Sequence, residues 1–215
     1  MKDYLMFLIR HKGIVLFLPV IAAFFLLGIL NHYYINLYPG DYETIKMYVI
    51  PNFHLIISLM SSWWIILLFS EFISERGNEV FYLYSSIKSV MGCVIFLEML
   101  YITLMSLYFV LFCNELGLSI FFVILLSGES LFISGLSFFI IQLTKNTSIA
   151  LGMVSVYCVY LLKFDPMNVM GCISIFPLNN AFGKDSLYQI FIDLGFATIF
   201  YLVGGICYKK RKVYY

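Results

Sequence analysis

Residues 70–89 read SEFISERGNEVFYLYSSIKS. Glu71, Glu75, Arg76, Glu79 and Lys88 gather here, in a chain of which only 12% is charged. Before them runs PNFHLIISLMSSWWIILLF (51–69) and after them VMGCVIFLEMLYITLMSLYFVLFC (90–113). Wound as a helix at about 100° per residue, the stretch sorts its side chains. Phe72, Ile73, Val80, Leu83, Tyr84 and Ile87 share one arc, with Arg76 inside it. Ser74, Glu75, Asn78, Glu79, Tyr82, Ser85, Ser86 and Ser89 take the other side. A polar, amphipathic segment between two apolar runs is expected to lie at a membrane face or in the groove of a partner protein.

The composition of the 215 residues agrees: 62% are hydrophobic and 19% aromatic. Soluble domains carry about 25% charged residues, so this chain cannot cover itself with a polar surface and lipid must be its solvent. A net charge of +1 gives no basic field for nucleic acid. Cys93, Cys113, Cys158, Cys172 and Cys207 form no CxxC pair and sit mostly in apolar runs. They read as small hydrophobes, with no metal or disulfide framework. The first apolar run, GIVLFLPVIAAFFLLGILNHYYI, exceeds the roughly 7–15 residues of a signal h-region and reads as a span that is not cleaved.

Crossing about 30 Å of hydrocarbon takes roughly 20 apolar residues. Six segments are expected to do so, at about 14–35, 51–70, 90–113, 119–143, 148–163 and 189–208, within a single domain spanning 1–215. The fold class is therefore an all-α integral membrane protein. With both termini cytoplasmic, Lys2, Arg10, Lys12, Arg76, Lys88, Lys145, Lys209, Lys210, Arg211 and Lys212 lie inside. Only Lys46, Lys163 and Lys184 lie outside, the asymmetry that sets orientation. The tail YKKRKVYY then faces anionic head groups. Pro166, Gly171 and Pro177 interrupt the apolar run before the sixth span, which predicts a re-entrant element there. Pro19 predicts a kink in the first span.

No P-loop, H-E-x-x-H or G-x-S-x-G is present, and no catalytic or metal-ligating set emerges. His11, His32 and His54 stand near span ends and read as interfacial, as does Asp193. Asn146-Thr147-Ser148 matches a glycosylation sequon on the expected cytoplasmic side and reads as coincidence. Glu98 and Glu129 fall inside spans, where an ionised side chain costs roughly 2.5–3.5 kcal/mol on insertion scales. Such residues line a substrate path or subunit seam, or hydrogen-bond between helices as the neutral acid; their different depths argue against direct pairing with each other. Ser127, Ser130, Ser134 and Ser137 share one face of the fourth span and are expected to pack helices, within a chain or across a seam.

Six spans, cytoplasmic termini and the 71–88 segment resemble the permease subunits of type-2 ABC export transporters. In that family a cytoplasmic coupling helix between spans two and three docks on a separate ATPase, with a signature near E-x-x-x-G-T/S-x-E-x-L-L-x-x-P and a closing Lys. Glu75, Gly77, Glu79 and Leu83 fall close to that pattern and Lys88 closes the segment, while Asn78 replaces Thr or Ser and the Pro is absent; Glu71 and Arg76 belong to the same ATPase-coupling segment. The small size is most similar to the permeases of lantibiotic self-protection transporters. The resemblance implies a non-enzymatic subunit in a bacterial plasma membrane that binds no cofactor. It also implies ATP and Mg in an ABC ATPase dimer, a second permease making a heterodimer ahead of a homodimer, and a cationic antimicrobial peptide as cargo. The alternatives from the residues alone are a non-transporting assembly or sensor protein and, behind it, a membrane-embedded enzyme.

Overall fold

The computed structural model describes residues 13–74, 86–112, 120–163 and 184–212. A 3-10 turn, Gly13–Phe17, leads into α1 (Leu18–Leu37), followed by α2 (Tyr42–Ser74) and α3 (Ile87–Phe112). Then come α4 (Ile120–Thr144), α5 (Thr147–Lys163) and α6 (Lys184–Lys212). Each of the six expected spans corresponds to one of these helices. The described residues are helix and turn throughout.

Five helices, all but α5, are long and apolar enough to cross a membrane. The 17 residues of α5 reach only about 26 Å at roughly 1.5 Å per residue. The exterior is apolar where a soluble protein would be polar: Phe25 is 67% exposed, Val156 70% and Phe191 72%. Such a surface fits a multi-pass membrane protein, its dry solvent being hydrocarbon.

Local chemistry sets the helix ends. Pro19 does not kink α1 from within. It stands in the first turn, where its missing N–H costs nothing and its fixed φ suits helix entry, and the irregularity is the 3-10 turn before it. Helix α2 begins nine residues before the expected span and runs through Pro51. In the turn that the proline ring disturbs, the Asn52 side chain donates to the Tyr48 carbonyl at 2.8 Å. Between α1 and α2, Gly40 at φ +84° makes the turn, and Asp41 accepts from the Thr44 N–H (3.1 Å) and hydroxyl (2.6 Å) to cap α2. Stacked rings of Tyr34, Tyr48 and Tyr38 brace this hairpin.

The α4–α5 connection is two residues long. Lys145 takes φ +56° and donates its N–H to the Ile141 carbonyl, closing α4. Asn146 Oδ1 accepts from the Ser148 and Ile149 N–H groups, at 2.8 and 3.1 Å, and opens α5. The sequon asparagine is thus a helix cap.

Helix α4 is the centre of the bundle. Within its most apolar window 72% of residues are buried, against 28% for α1 and for α6. It packs on α6, α2, α5 and α3. The α4–α6 approach is closest at glycines: a Cβ at Gly204 would lie 2.7 Å from the Phe138 ring, and one at Gly135 3.2 Å from the Ala197 carbonyl. Most of the 71–88 segment lies outside the described residues, as do the element expected around 166–177 and residues 1–12. The described ends of the segment belong to its neighbours: α2 carries the backbone of Glu71 to Ser74, and α3 begins at Ile87, with Lys88 exposed.

Candidate functional site

An apolar bundle in lipid has no reason to bury polar groups, so those it does bury mark its special region. Here they converge on α4. His54 of α2, Glu98 of α3, Glu129 of α4 and Asp193 of α6 are each at most 1% exposed. Every one lies inside a single chain, on a different helix.

His54 Nδ1 and Glu129 Oε2 are 2.6 Å apart, close enough to share one proton in a charge-assisted hydrogen bond. The pair carries no net charge whether the proton resides on nitrogen or on oxygen, which makes it tolerable in a dry interior. The edge of the His54 ring meets Phe122, at 5.2 Å between ring centres. His54 is thus a core residue and not the interfacial one expected from its place near the start of an apolar run. The helix begins at Tyr42, so His54 stands twelve residues inside it.

Asp193 is likewise buried and not interfacial. Helix α6 starts at Lys184, which puts Asp193 nine residues in, the same count as Glu129 from Ile120. At about 1.5 Å per residue both lie roughly 14 Å from the same end of the bundle. The Gln189 amide donates to Asp193 Oδ1 at 3.0 Å. The other carboxyl oxygen lies against Gly128, where a Cβ would stand 3.9 Å away. Tyr157 of α5 completes this level, near enough to feel the charge of both Asp193 and Glu129.

Glu98 sits deeper, beside Ser134, Tyr101 and Tyr201. Tyr101 donates to the Ile57 carbonyl at 2.8 Å. Tyr201 and Ser134 are 2.6 Å apart, and Ser134 passes its own proton to the Leu131 carbonyl at 3.1 Å. The Glu98 carboxyl also draws on the Ser134 hydroxyl, for which the Leu131 carbonyl competes. Glu98 and Glu129 do not pair with each other, in agreement with their different depths.

The serine face divides. Ser134 binds across to α6, and the Ser130 carbonyl lies 3.2 Å from the Ser61 hydroxyl of α2. Ser127 and Ser137 return their protons to their own helix, at Val123 and Ile133. Ser127 and Ser130 also line a small recess with Ser106, Ile57 and Phe109. From Glu129 to Gln142, whose buried amide has no partner among the described residues, α4 carries polar side chains over about 20 Å of rise.

His54, Gln189, Tyr101, Tyr157 and Tyr201 carried no site signal in the sequence. Their role comes from neighbours far away in the chain, such as the 75 residues between His54 and Glu129. Cys93 and Cys158 are buried free thiols in the core. No group of three or more His, Cys, Asp or Glu suited to a metal occurs among the described residues. The chain matches no protein-family model, no curated protein and no solved structure.

Proposed function

We propose that this chain is the membrane-spanning subunit of an ATP-driven exporter, with its termini and the 71–88 segment in the cytoplasm of a bacterial cell. A separate ABC ATPase dimer hydrolyses ATP, and a second permease completes the unit. The proposed cargo is a cationic, amphipathic antimicrobial peptide taken from the membrane; Glu98 and Glu129, buried here, would face it only once the bundle opens.

One observation carries the reading. Helix α2 is continuous from Tyr42 to Ser74, so a single rod joins the buried His54–Glu129 contact to the charged segment that begins at Glu71. Twenty residues separate His54 from Ser74, about 30 Å of rigid helix. A push on the segment around Glu75, Arg76, Gly77, Asn78, Glu79 and Leu83 would move His54 against Glu129, turning partner motion into a change at the polar core. Bistable contacts of that kind, and not gradual deformation, are how packed helices switch.

Co-purification from the native membrane in mild detergent tests it, with Glu75→Ala and Glu79→Ala combined as the comparison. An ABC ATPase should accompany the wild type and be lost from the variant. Its absence from the wild-type preparation would end the exporter reading.

A further inference from the structure

Four helices each bring one titratable side chain to the same level of the bundle: His54 from α2, Glu129 from α4, Tyr157 from α5 and Asp193 from α6. Two features together mark this level. First, like Gln142 elsewhere on α4, it holds buried polar atoms that are unfilled. Glu129 Oε1 and Asp193 Oδ2 are buried with no hydrogen-bond partner among the described residues, and the Tyr157 hydroxyl has none either. Buried polar groups kept for packing are nearly always satisfied, and a half-satisfied network costs stability. Second, the positions of the unfilled atoms are fixed by the filled ones. Gln189 holds Asp193 by Oδ1, leaving Oδ2 over Gly128, and His54 holds Glu129 by Oε2, leaving Oε1.

Burial also limits what could fill them. Glu129 and Asp193 are each 0% exposed, so a metal ion or an ammonium group would need a cavity to be opened. A proton needs none.

We propose that Glu129, His54, Asp193 and Tyr157 form a proton-loading site reached from the Tyr42/Lys184 end of the bundle. In loading, the helices part at that end long enough for a hydronium ion to give its proton to an unfilled carboxyl oxygen, Asp193 Oδ2 or Glu129 Oε1, and leave as water, so that only the proton stays when they close. The charge of the site rises by one, and release reverses the step. The groups facing Glu129 are His54 from α2, Tyr157 and Cys158 from α5, and Asp193 from α6. The α3 carboxyl, Glu98, stands apart beside Ser134. Gln189 is a positioning residue, one turn nearer the end from which the proton arrives. Proton loading would let the site follow a pH difference across the membrane whether or not an ATPase drives the chain, so the proposal stands apart from the exporter reading.

Infrared difference spectra of the full chain in lipid nanodiscs test it between about pH 8 and about pH 5, a range above the titration of exposed carboxyls near about pH 4. The wild type should gain a protonated-carboxyl band as the pH falls, and the band should shift on exchange into D2O. Glu129→Gln and Asp193→Asn, both near-isosteric, should each remove part of the band and move the midpoint of the remainder. His54→Gln should move the midpoint without removing the band, and Glu98→Gln should leave the midpoint in place. Helical circular dichroism and elution volume check that each variant is folded. A wild-type spectrum that does not change over this range would overturn the proposal, as would a change that neither carboxyl variant alters. Raising sodium at fixed pH should leave the band unchanged; a sodium-dependent loss would make this a cation site and overturn proton loading.

Discussion

Tyr201 and Ser134 show how much one polar contact contributes inside this bundle. The pair lies 2.6 Å apart with both side chains buried, yet Tyr201→Phe should cost only about 0.6 kcal/mol, the average of such interhelical bonds in membrane proteins. Ser134 keeps its bond to the Leu131 carbonyl and is left one donor short. Thermal unfolding in detergent would read the change, and a loss of several kcal/mol would mean that the bond supports Glu98 as well. Sterics weigh more. Gly204→Ala would set a methyl 2.7 Å from the Phe138 ring, which is itself held by Phe69 and Tyr201 and cannot swing clear. That overpacking should cost about 1–3 kcal/mol. Gly152→Ala meets nothing within 4 Å and should be neutral or stabilising by up to about 1 kcal/mol, as for any exposed helix glycine. The two glycines look alike in the sequence, and only the neighbouring helix separates them.

At the scale of the helices, the tight connections carry the information. Lys145 holds a left-handed conformation that costs a residue with a side chain about 1 kcal/mol. Lys145→Gly should return that amount in thermal stability, while removing one of the cations on which the expected orientation rests. Asn146→Ala strips the cap from α5, the shortest helix, and should cost about 0.5–2 kcal/mol. The cap of α2 is ionic and therefore depends on pH. Hydrogen bonds from the Thr44 side chain and backbone hold the Asp41 carboxyl below its ordinary range. A lowered carboxyl contributes stability above its unfolded value and loses it as the pH falls through the folded value. Protection of the first-turn amides of α2, taken relative to the intrinsic exchange rate at each pH, should therefore fall in acid. Asp41→Asn, which keeps an acceptor but not the charge, should flatten that dependence. The turn is exposed, so the effect belongs to this helix end and not to global unfolding.

For the whole molecule, the decisive test is the sign of a surface mutation. Phe25 is 67% exposed near the middle of α1. On a soluble protein, Phe25→Lys would be harmless or favourable. Facing lipid, it should cost about 2.5–3.5 kcal/mol of insertion free energy, measurable as a fall in the membrane-integrated fraction of α1.

All-helical architecture, six helices near the six expected places, and an outward apolar surface were legible in the sequence. Hydropathy and charge act residue by residue along the chain, and a membrane helix satisfies its own backbone whatever surrounds it. Glu98 and Glu129 could be read as special on the same ground, since acids are costly at that depth wherever their helices pack. Orientation and the 71–88 segment remain at the level of charge asymmetry and sorted faces. The partner of Glu129 was not legible, nor was the burial of Asp193 beside it. His54, Asp193 and Gln189 are ordinary residues at ordinary positions until α2 and α6 close on α4. Which helices adjoin, and at what height, depends on packing summed over many contacts distant in sequence. Only the tertiary structure could turn scattered polar residues into one buried site.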